Sequence, residues 1–419
     1  MGTAMKQTNQ KLSIFCLYAA NALVYAFNAL FYCLLPLYFN DRFEAIEAGI
    51  VLSVGPAVSM IAPVFWGMLA DRAKYKNTVL IIAILISAVF FFSLGGGAGF
   101  FVTCILVGLT MLFMSPFAGL LDTITLEYTA EAGIAYGPIR VMGTVGFGTI
   151  ALVSSFFAGI SMDFIFYLYI AMALICALTL LFCPKVAGHA NRDAAKAAGK
   201  AADTDIRPLL RAKRLWIIVA FMLLCQFAYS YYCNFFPTYL RDTLGQPQWL
   251  WGLNVLILVL GEIPFFFLYN RLFEKIGIWG LMMIVMAGSA LRYTLLGLCG
   301  GVPAIIAVNL LTGFLVTVIT YCGAMYITRY IPAPLQATGQ NLMYCIGQGI
   351  ARVFGGVLGG VIDDRFSTTG GMLFFGILLA AGAVGVLFVG VLDRSPEWKR
   401  MDLQNTENIG SDACGEELR

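Results

Sequence analysis

Charge is what this chain has least of: Lys, Arg, Asp and Glu make up 12% of its 419 residues, about half of ordinary usage. A water-soluble domain of this length could not cover itself with so few polar groups. Histidine is nearly absent, and the single one, His189, lies in a polar stretch, so the apolar segments hold no imidazole base or ligand. The eleven cysteines are scattered, mostly inside apolar runs, with no CxxC and no metal-type spacing. They read as small packing residues. HExxH and GxSxG do not occur. GTVGFG (143–148) and GGVLGG (355–360) follow no strand and fit no phosphate loop, and helix packing explains both. An enzyme, a metal or cofactor protein and a nucleic-acid binder all lack their usual residues here.

What the chain has is apolar length. Hydrophobic residues make up 60%, and the mean hydropathy is +0.85. Hydrocarbon offers no hydrogen-bond partners, so crossing segments must be helices or closed barrels. Continuous rather than alternating apolar runs exclude the barrel. Runs able to cross about 30 Å fall near 12–39, 47–70, 78–95, 99–127, 138–160, 163–183, 215–240, 248–270, 277–298, 303–328, 336–361 and 369–392. The expected fold class is therefore an all-α membrane protein with twelve transmembrane helices in two six-helix bundles. The bundles cover 1–183 and 215–393, joined by a polar linker (184–214) and followed by a tail (394–419) with no assigned role. Residues 1–11 are short and polar, and the run after them is too long for a cleaved signal, so it reads as the first span. With both termini inside, twenty of the 26 basic residues are cytoplasmic and three (Arg42, Arg241, Arg365) are outside. That asymmetry predicts cytoplasmic termini in the cell membrane.

The halves resemble each other at a shift of about 200 residues. Gly146, Gly148 and Gly159 answer to Gly347, Gly349 and Gly360, and Asp71-Arg72 to Asn270-Arg271. Two parallel repeats are a known transporter plan, with the solute held near mid-membrane between them.

GMLADRAKYKN (67–77) carries a glycine, an Asp-Arg pair and a basic residue: Gly67, Asp71, Arg72 and Lys76. It resembles the loop signature of the major facilitator superfamily, with Lys74 and Tyr75 departing from the pattern. YGPIRVMGTVGFG (136–148), LGEIPFFF (260–267), LRYTLLG (291–297) and ATGQNLMY (337–344) resemble the branch of lactose permease, the phenylpropionate transporters and the nucleoside-proton symporters. The resemblance implies a secondary transporter working by alternating access, a monomer in a lipid bilayer. It would carry a sugar, nucleoside or aromatic acid, with proton symport as the leading reading. Efflux or proton antiport on the same fold is the alternative, and a non-transporting receptor or scaffold a further one. Gly67, Asp71 and Arg72 would form a gate latch, against which stands simple anchoring by Lys74 and Lys76.

Five ionisable residues lie inside spans: Asp122, Arg140, Glu262, Arg292 and Arg352. At roughly 2.5–3.5 kcal/mol each, they oppose insertion unless paired or hydrated. Asp122, about five residues before the end of span four, and Arg140, near the start of span five, fall at similar depth. By resemblance they match a carboxylate and an arginine that bind sugar; the competing account is a structural ion pair. Glu262 is the proton-coupling candidate, tuned by Arg292 or Arg352, against a permanent salt bridge with either. Where some relatives carry histidine in span ten, this chain has Thr312. Asn21, Tyr25, Asn28 and Tyr32 in span one, and Gln340, Tyr344, Gln348 and Arg352 in span eleven, recur at helical spacing. With Gln226 and Tyr229 of span seven they are candidate cavity residues. Of these, Tyr25, Asn28, Gln226, Tyr229, Gln340, Tyr344 and Gln348 join Asp122 and Arg140 as candidates for substrate binding, and interhelical hydrogen bonding is the alternative.

Overall fold

A computed structural model describes residues 2–186, 209–210, 212–266, 268–298, 301–331 and 333–393. His189, most of the linker and the tail from 394 lie outside the described residues. Among the described residues ten helices are long and apolar enough to cross a membrane, and one further apolar helix is shorter. In chain order they are α1 (Ser13–Asn40), α2 (Ala45–Ala70), α3 (Lys76–Leu94), α4 (Phe100–Ala132), α5 (Tyr136–Ala158), α6 (Phe164–Phe182) and α7 (Lys213–Thr243). After these come α8 (Trp249–Phe266), α9 (Tyr269–Leu298), α10 (Val302–Tyr330) and α11 (Thr338–Leu392).

Local chemistry sets the breaks. α4 closes on Gly133 in the left-handed conformation (φ 66°), which frees the last turn's carbonyls for capping. α9 is interrupted at Gly277 (φ 76°), close to where the sequence places the start of its span. α11 runs over 55 residues, more than twice the roughly 20 that one crossing needs. Its helical path is broken by Ser367 (φ 58°, ψ 169°), a conformation that glycine adopts freely and other residues hold at about 1–3 kcal/mol. Ser367→Gly is therefore expected to raise the melting temperature in detergent by a few degrees; a lowered melting temperature would contradict the strain.

The described chain packs as two compact units. The first comprises Met1–Asn191, Tyr231–Leu260 and Val353–Arg365. Phe27, Phe91, Phe117 and Tyr169 pack at its centre, with the Phe91 and Tyr169 rings stacked 4.0 Å apart and Phe117 edge-on to Phe27. α5 lies directly on α1, because Gly146 leaves no room for a side chain against the Ala22 backbone. At one end of this unit Asn40 Nδ2 donates to Asn234 O (2.7 Å) and Thr238 Oγ1 (3.0 Å), and Arg241 pairs with Asp41 through both η nitrogens. Trp251 Nε1 donates to Cys33 O (2.9 Å). Gly49 faces Gly356 and Gly360 there with backbone against backbone.

The second unit comprises Arg192–Ser230, Gly261–Arg352 and Phe366–Arg419. Gly288 admits Leu315 and Gly382 admits Leu224 and Met286, so α9, α10 and the end of α11 interlock. Asp393 takes an ion pair from Arg214 (2.5 Å) and a hydrogen bond from Trp279 Nε1 (2.6 Å). The first unit has a matching tie: Asn77 Nδ2 donates to Pro184 O (3.0 Å), and its Oδ1 accepts from Val186 N (3.1 Å). Asn77 opens α3 and Trp279 follows the Gly277 break in α9, and each is fastened to chain just past a helix end, that of α6 and that of α11.

Candidate functional site

In the first unit, Gly143 and Gly146 allow α5 to approach α1 so closely that a Cβ on Gly143 would meet the Tyr25 ring. One turn earlier on α5, Arg140 lies over that ring, its guanidinium carbon 3.9 Å from the centroid, a cation–π contact. Asp122 of α4 completes the group. Its Oδ1 is 3.7 Å from Arg140 Nε and accepts from the Tyr136 phenol (3.0 Å), while its Oδ2 accepts from the Tyr25 phenol (2.9 Å). Three helices thus hold a carboxylate and a guanidinium in one fixed arrangement, and both remain about one-third exposed. The carboxylate can accept and the guanidinium can donate, which suits adjacent hydroxyls that do both.

The expected Asp122–Arg140 pair is present, although α4 runs on to Ala132. Asp122 is therefore ten residues from its end rather than five. Tyr136 was not singled out from the sequence; its position four residues before Arg140, on the same helix face, is the signal that could have found it. Only part of the span-one stripe faces this site. Asn21 is fully buried and donates to Leu17 O and Thr125 Oγ1, so it serves the α1–α4 contact. Asn28 is half-buried.

In the second unit, Gln226 and Tyr229 of α7, Ser289, Arg292 and Tyr293 of α9, and Thr312 of α10 line a narrow recess. Arg292 is 3% exposed. Its Nη2 donates to Asn309 Oδ1 (3.0 Å), which also accepts from Thr312 Oγ1 (3.4 Å). Asn309 carries no sequence signal of its own, since it opens an otherwise apolar stretch of span ten. Gln226 is equally buried, and its Oε1 has no hydrogen-bond partner among the described residues.

Glu262 stands one turn before the end of α8, beside the Thr317 hydroxyl, with the Tyr269 phenol also near. Neither Arg292 nor Arg352 is among the groups at its carboxyl. Among the described residues, no ion pair joins Glu262 to either arginine. Arg292 points to Asn309 instead, because it leaves α9 toward the α7–α10 recess. The backbone carbonyl of Arg352 accepts from Ser230 Oγ (3.2 Å). Gln348 donates to Thr320 Oγ1 (3.3 Å), Gln340 is half-buried and Tyr344 is exposed. A π turn at Cys345–Ile350 widens the helix, so four-residue spacing no longer keeps the span-eleven stripe on one face.

At the loop signature, Gly67 faces open space and Arg72 is exposed; the Asp71 side chain lies outside the described positions. Lys76, which with Lys74 carried the alternative account of simple anchoring, is 4% exposed and paired with Glu127 of α4.

The model of the MFS_1 like family matches residues 15–374. The maltose permease of Geobacillus stearothermophilus is 26% identical over 401 residues, spanning 94% of this chain and 97% of the permease. A crystal structure of a point mutant of the nucleoside transporter NupG superposes with a TM-score of 0.77 at 18% identity, covering 92% of this chain and 100% of that one. The D-xylose-proton symporter follows with a TM-score of 0.66 at 15% identity, covering 89% and 97%. These two structures share the fold of this chain.

Proposed function

The chain belongs to the MFS_1 like family of membrane transporters, and on that premise we propose that it carries a hydroxyl-rich small solute, a sugar or a nucleoside, by proton symport. The observation that carries the reading is the Asp122–Arg140 pair with its two tyrosines. A chain 60% hydrophobic holds a charged pair that still presents donors and acceptors. A neutral polyhydroxy solute matches both members without bringing in a charge. The maltose permease at 26% identity supports a sugar within that class.

In this proposal residues 1–183 and 215–393 are the two rocking bundles, with cytoplasmic termini in the cell membrane. The twelve crossings follow if α11 crosses twice, turning at Ser367, and α8 crosses once. Gln226 and Tyr229 contribute contacts from the second bundle, and Glu262 carries the coupled proton. Gly67, Asp71 and Arg72 form the latch, on a loop that the Lys76–Glu127 pair holds against α4.

The test is counterflow in vesicles carrying the full chain. Labelled maltose and labelled uridine are offered outside against the same unlabelled solute inside. Transient accumulation of one of them at least roughly fivefold above empty vesicles is expected; no counterflow of either would remove the sugar and nucleoside reading.

A further inference from the structure

Buried amides and hydroxyls are nearly always hydrogen-bonded, because an unpaired one has given up water for no partner. Two side chains of the first unit break that rule at one seam. Gln248 immediately precedes α8. It is 6% exposed, and neither its Oε1 nor its Nε2 has a hydrogen-bond partner among the described residues. Ser155 of α5 is fully buried, and its Oγ likewise has no partner among them. Ser154 shows the usual solution: its hydroxyl donates to the Ile150 and Ala151 carbonyls of its own helix.

Glycine packing closes the seam over both groups. A Cβ on Gly159, one turn after Ser155, would lie 3.3 Å from Gln248 Cβ. A Cβ on Gly252, one turn after Gln248, would lie 2.5 Å from Ala151 O, 2.7 Å from Leu152 Cα and 2.8 Å from Ser155 Cβ. α5 and α8 therefore meet with almost no side chain between their backbones. Trp251 N donates to Gln248 O (3.1 Å) and Trp251 Nε1 to Cys33 O (2.9 Å), which ties the seam to the end of the unit that Asp41, Arg241 and Asn40 fasten. Those bonds are satisfied and hold that end shut. The groups of Gln248 and Ser155 act in the opposite direction.

We propose that Gln248 and Ser155 form an opening device: their unpaired groups penalise the closed contact of α5 with α8 and regain hydrogen bonds to water when the two helices part. The proposal rests on the rocking reading above, in which α5 belongs to one bundle and α8 to the other, and adds what drives this end apart. Each unmet group biases the closed arrangement against the parted one by roughly five- to a hundredfold. Set against the bonds of Arg241 and Asn40, that bias keeps both arrangements within reach of a modest difference in solute affinity.

The experiment follows Cys33, 4% exposed and covered by Trp251, in the full chain in detergent without solute. A maleimide is the probe, and the modified peptide is read by mass spectrometry. Gln248→Leu removes both polar atoms at similar volume and is expected to slow Cys33 labelling at least fivefold. Ser155→Ala is expected to slow it at least threefold. Ser154→Ala, whose hydroxyl is paired within its own helix, is expected to leave it within twofold. Cys322, fully buried in the second unit, reports general loosening and is expected to keep its rate in every variant. Slowing of less than twofold in Gln248→Leu, or faster labelling, overturns the device; a trapped water already pairing the amide would give that result. Should Gln248→Leu fail to fold, the same criterion applied to Ser155→Ala decides. Maltose and uridine play no part in this readout, so failed counterflow removes the solute class and leaves the device standing. No labelling of Cys33 in the unchanged chain removes the rocking of this end, and the device with it.

Discussion

Asp122→Asn is expected to cut counterflow at least a hundredfold while the helical signal in circular dichroism stays unchanged. The substitution preserves shape but removes the charge that Arg140 approaches at 3.7 Å and that two phenols address. Breaking a buried pair by removing one partner costs about 3–5 kcal/mol. Here both side chains are about one-third exposed, so solvent screening reduces that figure. A screened remainder of about 1 kcal/mol, added to about 2 kcal/mol for the charge-assisted hydrogen bond to solute that is also lost, corresponds to roughly a hundredfold at 1.4 kcal/mol per decade. Because the group packs between α1, α4 and α5 without filling their core, the loss should appear in solute affinity more than in folding. Arg140→Lys keeps the charge and loses the planar donors, so about a tenfold loss is expected. Counterflow within threefold of the unchanged chain in Asp122→Asn would assign the pair to holding helices together.

The second large effect is steric. A Cβ on Gly360 would lie 2.5 Å from Ala45 O and 3.1 Å from Ile46 Cα, while Gly49 meets the Gly356 carbonyl in the same way. Both obstacles are backbone, which has no rotamer to change. In Gly360→Val, α11 must therefore move off α2. Forcing extra atoms into a packed contact costs about 1–3 kcal/mol. As a bias between two conformations, that is about 5- to 150-fold. The end of the first unit that Asp41, Arg241 and Asn40 fasten would spend most of its time parted. Turnover is expected to fall at least thirtyfold, with solute affinity within about threefold of the unchanged chain. Cys33, 4% exposed and covered by Trp251, should react at least tenfold faster with a membrane-impermeant maleimide. Unchanged turnover together with unchanged labelling would show that this glycine contact is not part of the transport cycle.

Parts of the site were readable from residues alone. Asp122 and Arg140 sit on consecutive antiparallel helices, so connectivity makes them neighbours, although Asp122 lies deeper from the shared turn than Arg140 does. Tyr25 follows from the spacing on α1, although the sequence did not show that Asn21, one turn away, turns to Thr125 instead. The π turns Leu30–Leu34 and Tyr239–Thr243 carry a shared sequence signal. Tyr32-Cys33 and Pro36 are repeated as Tyr232-Cys233 and Pro237, so the two irregular helices also answer to each other at a shift of about 200.

Helix content, the break positions and the charged residues inside the apolar runs were determined by the sequence, because hydrocarbon obliges each crossing segment to satisfy its own backbone hydrogen bonds. That demand is local, and it leaves its mark as run length. Which face of one helix meets which neighbour was decided by the tertiary structure. It sent Arg292 to Asn309 and away from Glu262, buried Lys76 against Glu127, and put Thr312 and Thr317 on opposite sides of α10. Such pairings depend on how closely glycines such as Gly143, Gly146 and Gly261 let distant helices approach, and spacing along one helix carries no record of that distance.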